Sequence, residues 1–373
     1  MQERLEKKET MEDKEFKKIN ATYDKLHKSP NKIFYSSLIL LNILTLIICG
    51  LYLTNTVGVV KFIDAFTLMD LKFWSAILVS FVLILMLKTL PLFLKTYSKM
   101  SKRKFCFSYL TMSNYEFYKQ VTIYSNTAKM MSTKVMCDMG VKPQIAIDVN
   151  YSKRYFERIC VTLFSLIIMI LGMIFCNKIN PWFIVFAGLN LVINLVIILL
   201  VISLYFNKNK TLNFISKFVK FLYDLRLTKD YEMTYTKLVD RLIILAKELK
   251  QNKLITFVEI VSNILVIVIK YACVYFALAT INFIDVSAVL ELLYLCVIFD
   301  MILELLPVPN GTLFFEILFV LIFKNFFFEG YVFWGLILYR IVTYFGYIVN
   351  YLIILPICKS MKSKQENKIK GSV

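Results

Sequence analysis

The stretch LLPVPNGTLFFE, residues 305–316, interrupts a long apolar region of the chain. Its two prolines remove backbone donors and break a helix, and its Asn-Gly pair favours a tight turn. In the interior of a membrane, every backbone polar group released in this way must find a partner within the protein. The stretch therefore predicts a broken helix that faces a protein-lined cavity, with Glu316 near the N-terminus of the helix that follows.

The composition of the whole chain is typical of a polytopic membrane protein. Of the 373 residues, 58% are hydrophobic, and several apolar runs reach the roughly 20 residues that a helix needs to cross a bilayer. The net charge of +18 is carried mostly by residues between those runs. Basic residues in such places indicate cytoplasmic loops that contact anionic lipid, so we expect no nucleic-acid partner.

The apolar runs predict six to eight transmembrane helices. They cover residues 33–54, 73–94, 156–175, 182–206, 254–279, 286–306 and 331–355, with a further run that ends at Phe328. Basic clusters follow the second run and the last one, and the positive-inside rule places both clusters and both termini in the cytoplasm. The predicted fold class is thus an all-α, multi-pass protein of the cell membrane.

Two polar interruptions divide the membrane part into similar halves. Residues 105–141 are half polar and predict two short helices that meet in a re-entrant hairpin near residues 120–141. The stretch at 306–316 predicts a second hairpin. Broken segments at corresponding places indicate repeat-related halves, here residues 33–206 and 254–356.

The remaining segments are polar and basic. Residues 1–32 form an N-terminal extension and residues 357–373 a tail, both expected to be cytoplasmic. Residues 207–253 form a linker with eleven Lys or Arg and five Asp or Glu. Residues 235–251 within it are amphipathic at helical spacing, which predicts a helix lying on the headgroups or packed on the bundle.

Ionisable residues within the apolar runs are the candidate chemistry, because charges at membrane depth are costly and mark a path or a pair. We predict a pair between Arg340 and Glu316 that either grips a phosphate when it opens or simply locks two helices together. Lys270 lies within an earlier run. Asp300 and Glu304, one turn apart, are interpreted as a solvated helix end near the cytoplasmic face.

Residue constellations of a catalytic type do not stand out in the sequence. The single histidine, His27, lies in the N-terminal extension, and the eight cysteines are scattered without paired spacing. We therefore expect no metal site, no cofactor and no enzymatic activity. A membrane enzyme that modifies lipid would depend on Glu316, Asp300 and Glu304 alone.

The segment LLPVPNGTLFFEILFVLIFKNFF, which begins at residue 305, resembles the second signature of the lysylphosphatidylglycerol synthase transmembrane-region family. This family includes the flippase part of the multiple peptide resistance factor and free-standing proteins. Pro307, Pro309, Gly311 and Glu316 match the family pattern, whereas Asn310 replaces a family glycine. The segment LILYRIVTYFGYIV is similar to the arginine-bearing helix of the family, with Arg340 and Tyr344 at the matching positions.

The segment YSNTAKMMSTKVMCDMGVKPQIAI, which begins at residue 124, resembles the first family signature less closely. Ser125, Asn126, Gly140 and Ala146 fit the pattern. The family proline falls at about Lys129, and its Gly-Gly pair falls at about Ser132-Thr133. Because these turn-forming residues are missing, a close backbone approach to a headgroup is not expected here. Either Lys129 or Lys134 would supply a replacement contact, or the hairpin has lost this function.

The resemblance implies a lipid flippase that moves a phospholipid, or a modified or glycosylated lipid, between leaflets. Arg340 would bind the lipid phosphate, Glu316 would neutralise Arg340 or contact a cationic headgroup, and Tyr344 and Asn310 would add hydrogen bonds. On this interpretation, Arg340→Ala abolishes lipid movement without unfolding the chain. The aminoacyl-transferase domain of larger family members is expected to be absent, because few residues follow the last apolar run.

A membrane scaffold, or a partner subunit of a lipid-modifying enzyme, is the alternative function. The degenerate first hairpin and the large basic linker favour it. A homo-oligomer is left open, because the larger relatives suggest one only by analogy of fold.

Overall fold

The computed structural model describes residues 29–56, 71–97, 104–121, 125–176, 179–224, 253–282, 288–306, 314–327 and 330–356, together with short helical pieces between 230 and 245. This part of the chain is almost entirely helical and contains no strand. The helices are α1 Ser29–Thr56, α2 Leu71–Thr96, α3 Lys104–Val121, α4 Ser125–Asp138, α5 Pro143–Phe175, α6 Pro181–Phe206, α7 Lys208–Asp224, α8 Lys253–Asn282, α9 Val289–Leu305, α10 Phe314–Phe323 and α11 Val332–Pro356.

Five of the described helices, α2, α5, α6, α8 and α11, are long and apolar enough to cross a membrane. Two shorter apolar segments, Ile39–Asn55 in α1 and Phe314–Phe323 in α10, accompany them. Only 33% of the most apolar window of α6 is buried within the protein, so a large apolar surface faces outward, as lipid requires. The predicted all-α architecture with several candidate membrane spans is confirmed for the described residues, and the count of six to eight crossings stays a prediction.

Local sequence explains where several helices begin and end. Pro143 and Pro181 occupy the first turns of α5 and α6, where a missing backbone N–H costs nothing. The Asn180 side chain caps α6 by accepting a hydrogen bond from the backbone N–H of Trp182 at 3.1 Å. Gly140 adopts a φ of 88° in the turn after α4, a conformation that favours glycine.

Helix α9 lies at the centre of the bundle, where it packs against α5, α6, α8 and α10. Nearly all its residues from Leu292 to Ile302 are buried. The Phe299 ring makes edge contacts with the rings of Phe315 and Tyr339, at centroid distances of 4.8 and 5.3 Å. This aromatic packing fixes α9, α10 and α11 relative to one another.

The contact between α5 and α9 leaves no room for a side chain at Gly172. A Cβ there would lie 2.3 Å from the ring of Tyr294, which is fully buried. We expect Gly172→Ala to destabilise the protein by about 1–3 kcal/mol through overpacking, measured as thermal unfolding in detergent. Gly188→Ala is the matched control, because a Cβ at Gly188 meets nothing within 4 Å. Equal unfolding midpoints for the two variants would contradict the expectation.

The structure describes helices on both sides of each of the two polar interruptions. Helices α3 and α4 pack against each other as a pair, which begins at Lys104 and is therefore longer than the hairpin predicted near residues 120–141. The second interruption separates α9, which ends at Leu305, from α10, which begins at Phe314. The re-entrant geometry of the two hairpins and the repeat relation between the two halves stay predictions.

The linker contains a helix that the sequence did not single out, α7 Lys208–Asp224. The amphipathic stretch predicted at residues 235–251 is described only in pieces. Its apolar residues Val239, Leu242 and Leu245 are buried in a cluster with residues of α6 and α7. Of the two predicted placements, these contacts support packing on the bundle.

Candidate functional site

The predicted pair between Arg340 and Glu316 is present and fully buried. Nε and Nη2 of Arg340 both donate to Oε1 of Glu316, at 3.1 and 2.5 Å. The two residues are 0% and 1% exposed. Glu316 lies in the first turn of α10, where the helix dipole favours a negative charge, as predicted. The pair therefore joins α10 to α11.

Aromatic rings enclose the guanidinium group of Arg340. Its Cζ lies 3.6 Å from the centroid of the Phe315 ring and 5.3 Å from that of Tyr344. Both distances are within the range of a cation–π contact. Oε2 of Glu316 has no hydrogen-bond partner among the described residues. Through these contacts, the buried pair and the Phe315 ring hold α10 and α11 together.

A cavity of about 180 Å³ lies beside this pair, enclosed by α2, α3, α5, α8, α9, α10 and α11. Phe315 and Tyr339 line it, whereas Arg340 and Glu316 do not. The charged residues that line it are Lys88, Glu116, Lys119, Glu157, Lys270 and Asp300. Three cations and three carboxylates in a space between apolar helices make this cavity the candidate site.

One wall of the cavity carries a chain of ion pairs across three helices. Nζ of Lys88, in α2, lies 2.8 Å from Oε1 of Glu116, in α3, and 3.6 Å from Oε1 of Glu157, in α5. Nζ of Lys119 lies 3.2 Å from the same Glu157 oxygen. The four residues thus alternate in charge, and Lys88 and Glu116 are nearly inaccessible to solvent.

Electrostatic contacts within this chain of ion pairs hold its two members on α3, Glu116 and Lys119, in their charged forms. The Glu157 carboxylate raises the pKa of Lys119 above its ordinary value. Burial alone would raise the pKa of Glu116, but the Lys88 and Lys119 ammonium groups outweigh it and lower that pKa. Both groups therefore stay ionised around neutral pH.

A second charged part of the cavity lining centres on Asp300, whose carboxylate accepts three hydrogen bonds. Nζ of Lys270 and the hydroxyl of Tyr271 donate to Oδ2 at 2.6 and 2.9 Å. The hydroxyl of Tyr339 donates to Oδ1 at 2.9 Å. The interpretation of Asp300 as part of a solvated helix end is therefore wrong, because this residue points into a cavity and has partners on α8 and α11.

Glu304, one turn further along α9, has different partners. Nη2 of Arg158 donates to its Oε1 at 3.0 Å, and Nδ2 of Asn190 donates to its Oε2 at 3.2 Å. Its side chain is 37% exposed, so the predicted solvated position suits Glu304 better than Asp300. It does not line the cavity.

Exposure differs among the charged groups that line the cavity. The side chains of Lys119 and Lys270 are 41% and 32% exposed, against 8% for Lys88. The side chain of Asn263 is buried, and its Nδ2 has no partner among the described residues. An anionic group entering the cavity would therefore meet two accessible ammonium groups and one amide donor.

The chain has no match among family models, curated proteins or solved structures. Its resemblance to the lysylphosphatidylglycerol synthase transmembrane-region family thus stays an expectation that depends on the quoted motifs.

The predicted contacts of the first hairpin lie away from the cavity. The Lys129 ammonium group lies 4.4 Å from the centroid of the Tyr151 ring, and Lys134 pairs with Asp138 at 3.2 Å. Neither lysine lines the cavity. Asn126 lies in the first turn of α4, and its side chain is outside the described residues.

Small hydroxyl residues stand where the resemblance places a Gly-Gly pair. The buried Ser132 donates to Oδ1 of Asn150 at 2.9 Å, and Nδ2 of Asn150 donates to Oγ1 of Thr133 at 2.9 Å. These bonds join α4 to α5. Ser132 and Thr133 therefore supply a buried polar contact between two helices.

The predicted residues of the second hairpin are only partly described. Tyr344 is buried beside Arg340 in a π-helical turn, Ile341–Phe345, that interrupts α11. The remaining predicted residues, Pro307, Pro309, Asn310 and Gly311, lie outside the described residues.

Sequence reasoning missed four of the six charged residues of the cavity. Lys88 was a detectable signal, because a lysine within an apolar run requires a partner. Glu116 and Lys119 belong to the half-polar stretch 105–141, and Glu157 lies at the start of an apolar run, so each has the appearance of an ordinary polar residue. Only the packing of α3 against α2, together with the ion pairs that Lys88 and Lys119 form with Glu157 of α5, brings them together.

Proposed function

We propose that this protein is a lipid flippase that moves a phospholipid, or a modified or glycosylated lipid, between the leaflets of a membrane. The observation that carries the proposal is the cavity with three lysines and three carboxylates, which is lined by seven helices. Four of these, α2, α5, α8 and α11, are long and apolar enough to span a bilayer. Ionisable groups at membrane depth are costly and mark the paths of polar substrates.

The size and chemistry of the cavity suit a lipid headgroup. A volume of about 180 Å³ corresponds to about six water molecules in the liquid, enough for a polar group but not for acyl chains. The acyl chains would remain outside, against the exposed apolar faces of the helices. With the acyl chains outside, the protein has to provide a polar path for the headgroup only.

Lys119 and Lys270 are proposed to contact the lipid phosphate, because they are the more accessible ammonium groups of the cavity. Their carboxylate partners, Glu157 and Asp300, neutralise them when no headgroup is bound. Arg340 is assigned a different role from the one expected from sequence. With Glu316 it supports the wall formed by Phe315, and it does not itself meet the substrate.

Leaflet exchange of fluorescent phospholipids in proteoliposomes tests this function. Lys119→Gln and Lys270→Gln are each expected to slow exchange about ten- to hundredfold, the value of a hydrogen bond to a charged group. Arg158→Gln is the matched control, because Arg158 forms a similar half-exposed ion pair outside the cavity. Its exchange rate is expected to match that of the native chain.

Two results would contradict the proposal in different ways. Exchange that is unchanged in both lysine variants would mean that lipids do not pass through the cavity. No exchange of any headgroup by the folded native protein would favour the scaffold or partner-subunit alternative. Intact folding is checked by the thermal unfolding midpoint of each variant.

A further inference from the structure

Helix α7 is fixed at the end of α6, a candidate membrane span. One residue, Asn207, separates them, and its backbone N–H donates to the carbonyl of Ser203 at 2.7 Å. The hydroxyl groups of Ser203 and Thr211 lie 2.7 Å apart and join the two helices. Since α6 ends at Phe206, α7 lies where a spanning helix leaves the apolar region.

One face of α7 is used by the protein itself. Thr211, Ile215 and Val219 are at most 3% exposed. Ile215 and Val219 pack in a cluster with Val201 and Leu204 of α6. Their spacing of four residues defines a single stripe along the helix.

A second stripe, formed by Phe214, Phe218 and Phe221, is exposed. The three side chains are 57%, 45% and 57% exposed, and their spacing places them along one edge of the buried stripe. Phe206, at the end of α6, is 77% exposed, and Ile202 is 43% exposed. The aromatic stripe therefore continues the exposed apolar surface of a candidate span.

Lysines flank the aromatic stripe on the side away from the buried face. Lys210, Lys217 and Lys220 are exposed, and helical spacing places Lys210 and Lys217 next to the phenylalanines. Residues 208–224 contain four lysines and one aspartate, a net charge of +3. An apolar stripe bordered by lysines is typical of a helix in the interfacial region of a membrane.

We propose that α7 is an interfacial anchor whose phenylalanine stripe inserts at the boundary between headgroups and acyl chains, and whose lysines bind the phosphates of anionic lipids. Continuity with the exposed surface of α6 favours lipid as the occupant over a second protein. The positive charge favours an anionic leaflet, because each lysine near such a surface is attracted to it. This inference is independent of lipid transport.

Quenching of tryptophan fluorescence by brominated lipids tests the anchor in the full chain reconstituted in bilayers. In a background with Trp74, Trp182 and Trp334 replaced by phenylalanine, Phe218→Trp reports from the stripe. Its quenching by lipids brominated near the headgroup is expected to be about fivefold stronger for phosphatidylglycerol than for phosphatidylcholine. Asn213→Trp, on the polar face, is the matched control and should be quenched weakly.

A triple lysine variant should show about equal quenching by phosphatidylglycerol and phosphatidylcholine, because the lysines provide the preference for the anionic lipid. Its substitutions are Lys210→Gln, Lys217→Gln and Lys220→Gln. Weak quenching at position 218 would overturn the proposal, since the stripe would then lie in water or against protein. Equal quenching by the two lipids in the native chain would overturn it as well.

Native mass spectrometry provides a second measurement that leaves the tryptophans unaltered. The triple lysine variant is expected to retain fewer phosphatidylglycerol molecules than the native chain after extraction from the same membrane. Equal retention by the two proteins would contradict the lysine contacts, whether or not the tryptophan-free background folds.

Discussion

Replacing Arg340 by alanine is expected to lower the free energy of unfolding by about 3–5 kcal/mol, because the substitution leaves the Glu316 carboxylate buried without its cation. Glu316 is only 1% exposed, and its second oxygen already lacks a partner among the described residues. Chemical unfolding in detergent measures the loss.

The double variant Arg340→Met with Glu316→Gln separates lost packing from uncompensated charge. It should be more stable than Arg340→Ala, because no charge remains buried and the methionine still packs on Phe315. A single variant as stable as the native protein would show that the pair is dispensable. The sequence alone led us to expect that Arg340→Ala abolishes transport without unfolding the chain, and the buried pair now leads us to expect a loss of stability. A transport assay of this variant therefore requires a measured folded fraction.

Lys88→Met is expected to have an effect of similar size, about 3–5 kcal/mol. Lys88 is the link between α2, α3 and α5, and its loss leaves Glu116, which is 1% exposed, without its nearest cation. Glu157 retains Lys119 at 3.2 Å, so the uncompensated charge is that of Glu116. Thermal and chemical unfolding of the purified variant measure the effect.

Adding Glu116→Gln to Lys88→Met should recover much of the loss, because the remaining amide is neutral. Lys134→Met is the matched control, since its i,i+4 pair with Asp138 is more exposed. That variant is expected to change stability by at most about 0.5 kcal/mol. Equal losses at Lys88 and Lys134 would contradict the buried network.

Sequence alone was sufficient to predict the helical architecture with its candidate membrane spans, and the pair between Arg340 and Glu316. Each of these two residues is the isolated charge of an apolar segment, and two isolated opposite charges require each other. The same reasoning did not extend to Glu116, because its neighbours in the sequence are polar. Its burial depends on α3 packing against α2, which no local pattern specifies.

Asp300 and Glu304 show a second limit of sequence reasoning. Spacing correctly places them on one side of α9, one turn apart. Successive turns of a central helix contact different neighbours, however, so Asp300 meets Lys270 of α8 while Glu304 meets Arg158 of α5. Periodicity describes one helix, whereas the partners belong to others.

The π-helical turn at Ile341–Phe345 lets the two ends of α11 contact different helices. A π-turn accommodates one extra residue, which rotates everything beyond it by about 100° relative to a regular helix. Before the turn, Arg340 is directed to Glu316 of α10; beyond it, the Asn350 side chain bonds Tyr109 and Ser113 of α3 at 3.0 and 2.7 Å. The inserted residue thus sets the rotation of one end of α11 relative to the other. A chain shortened by one residue here would keep either the contact of Arg340 with α10 or the contacts of Asn350 with α3, but not both.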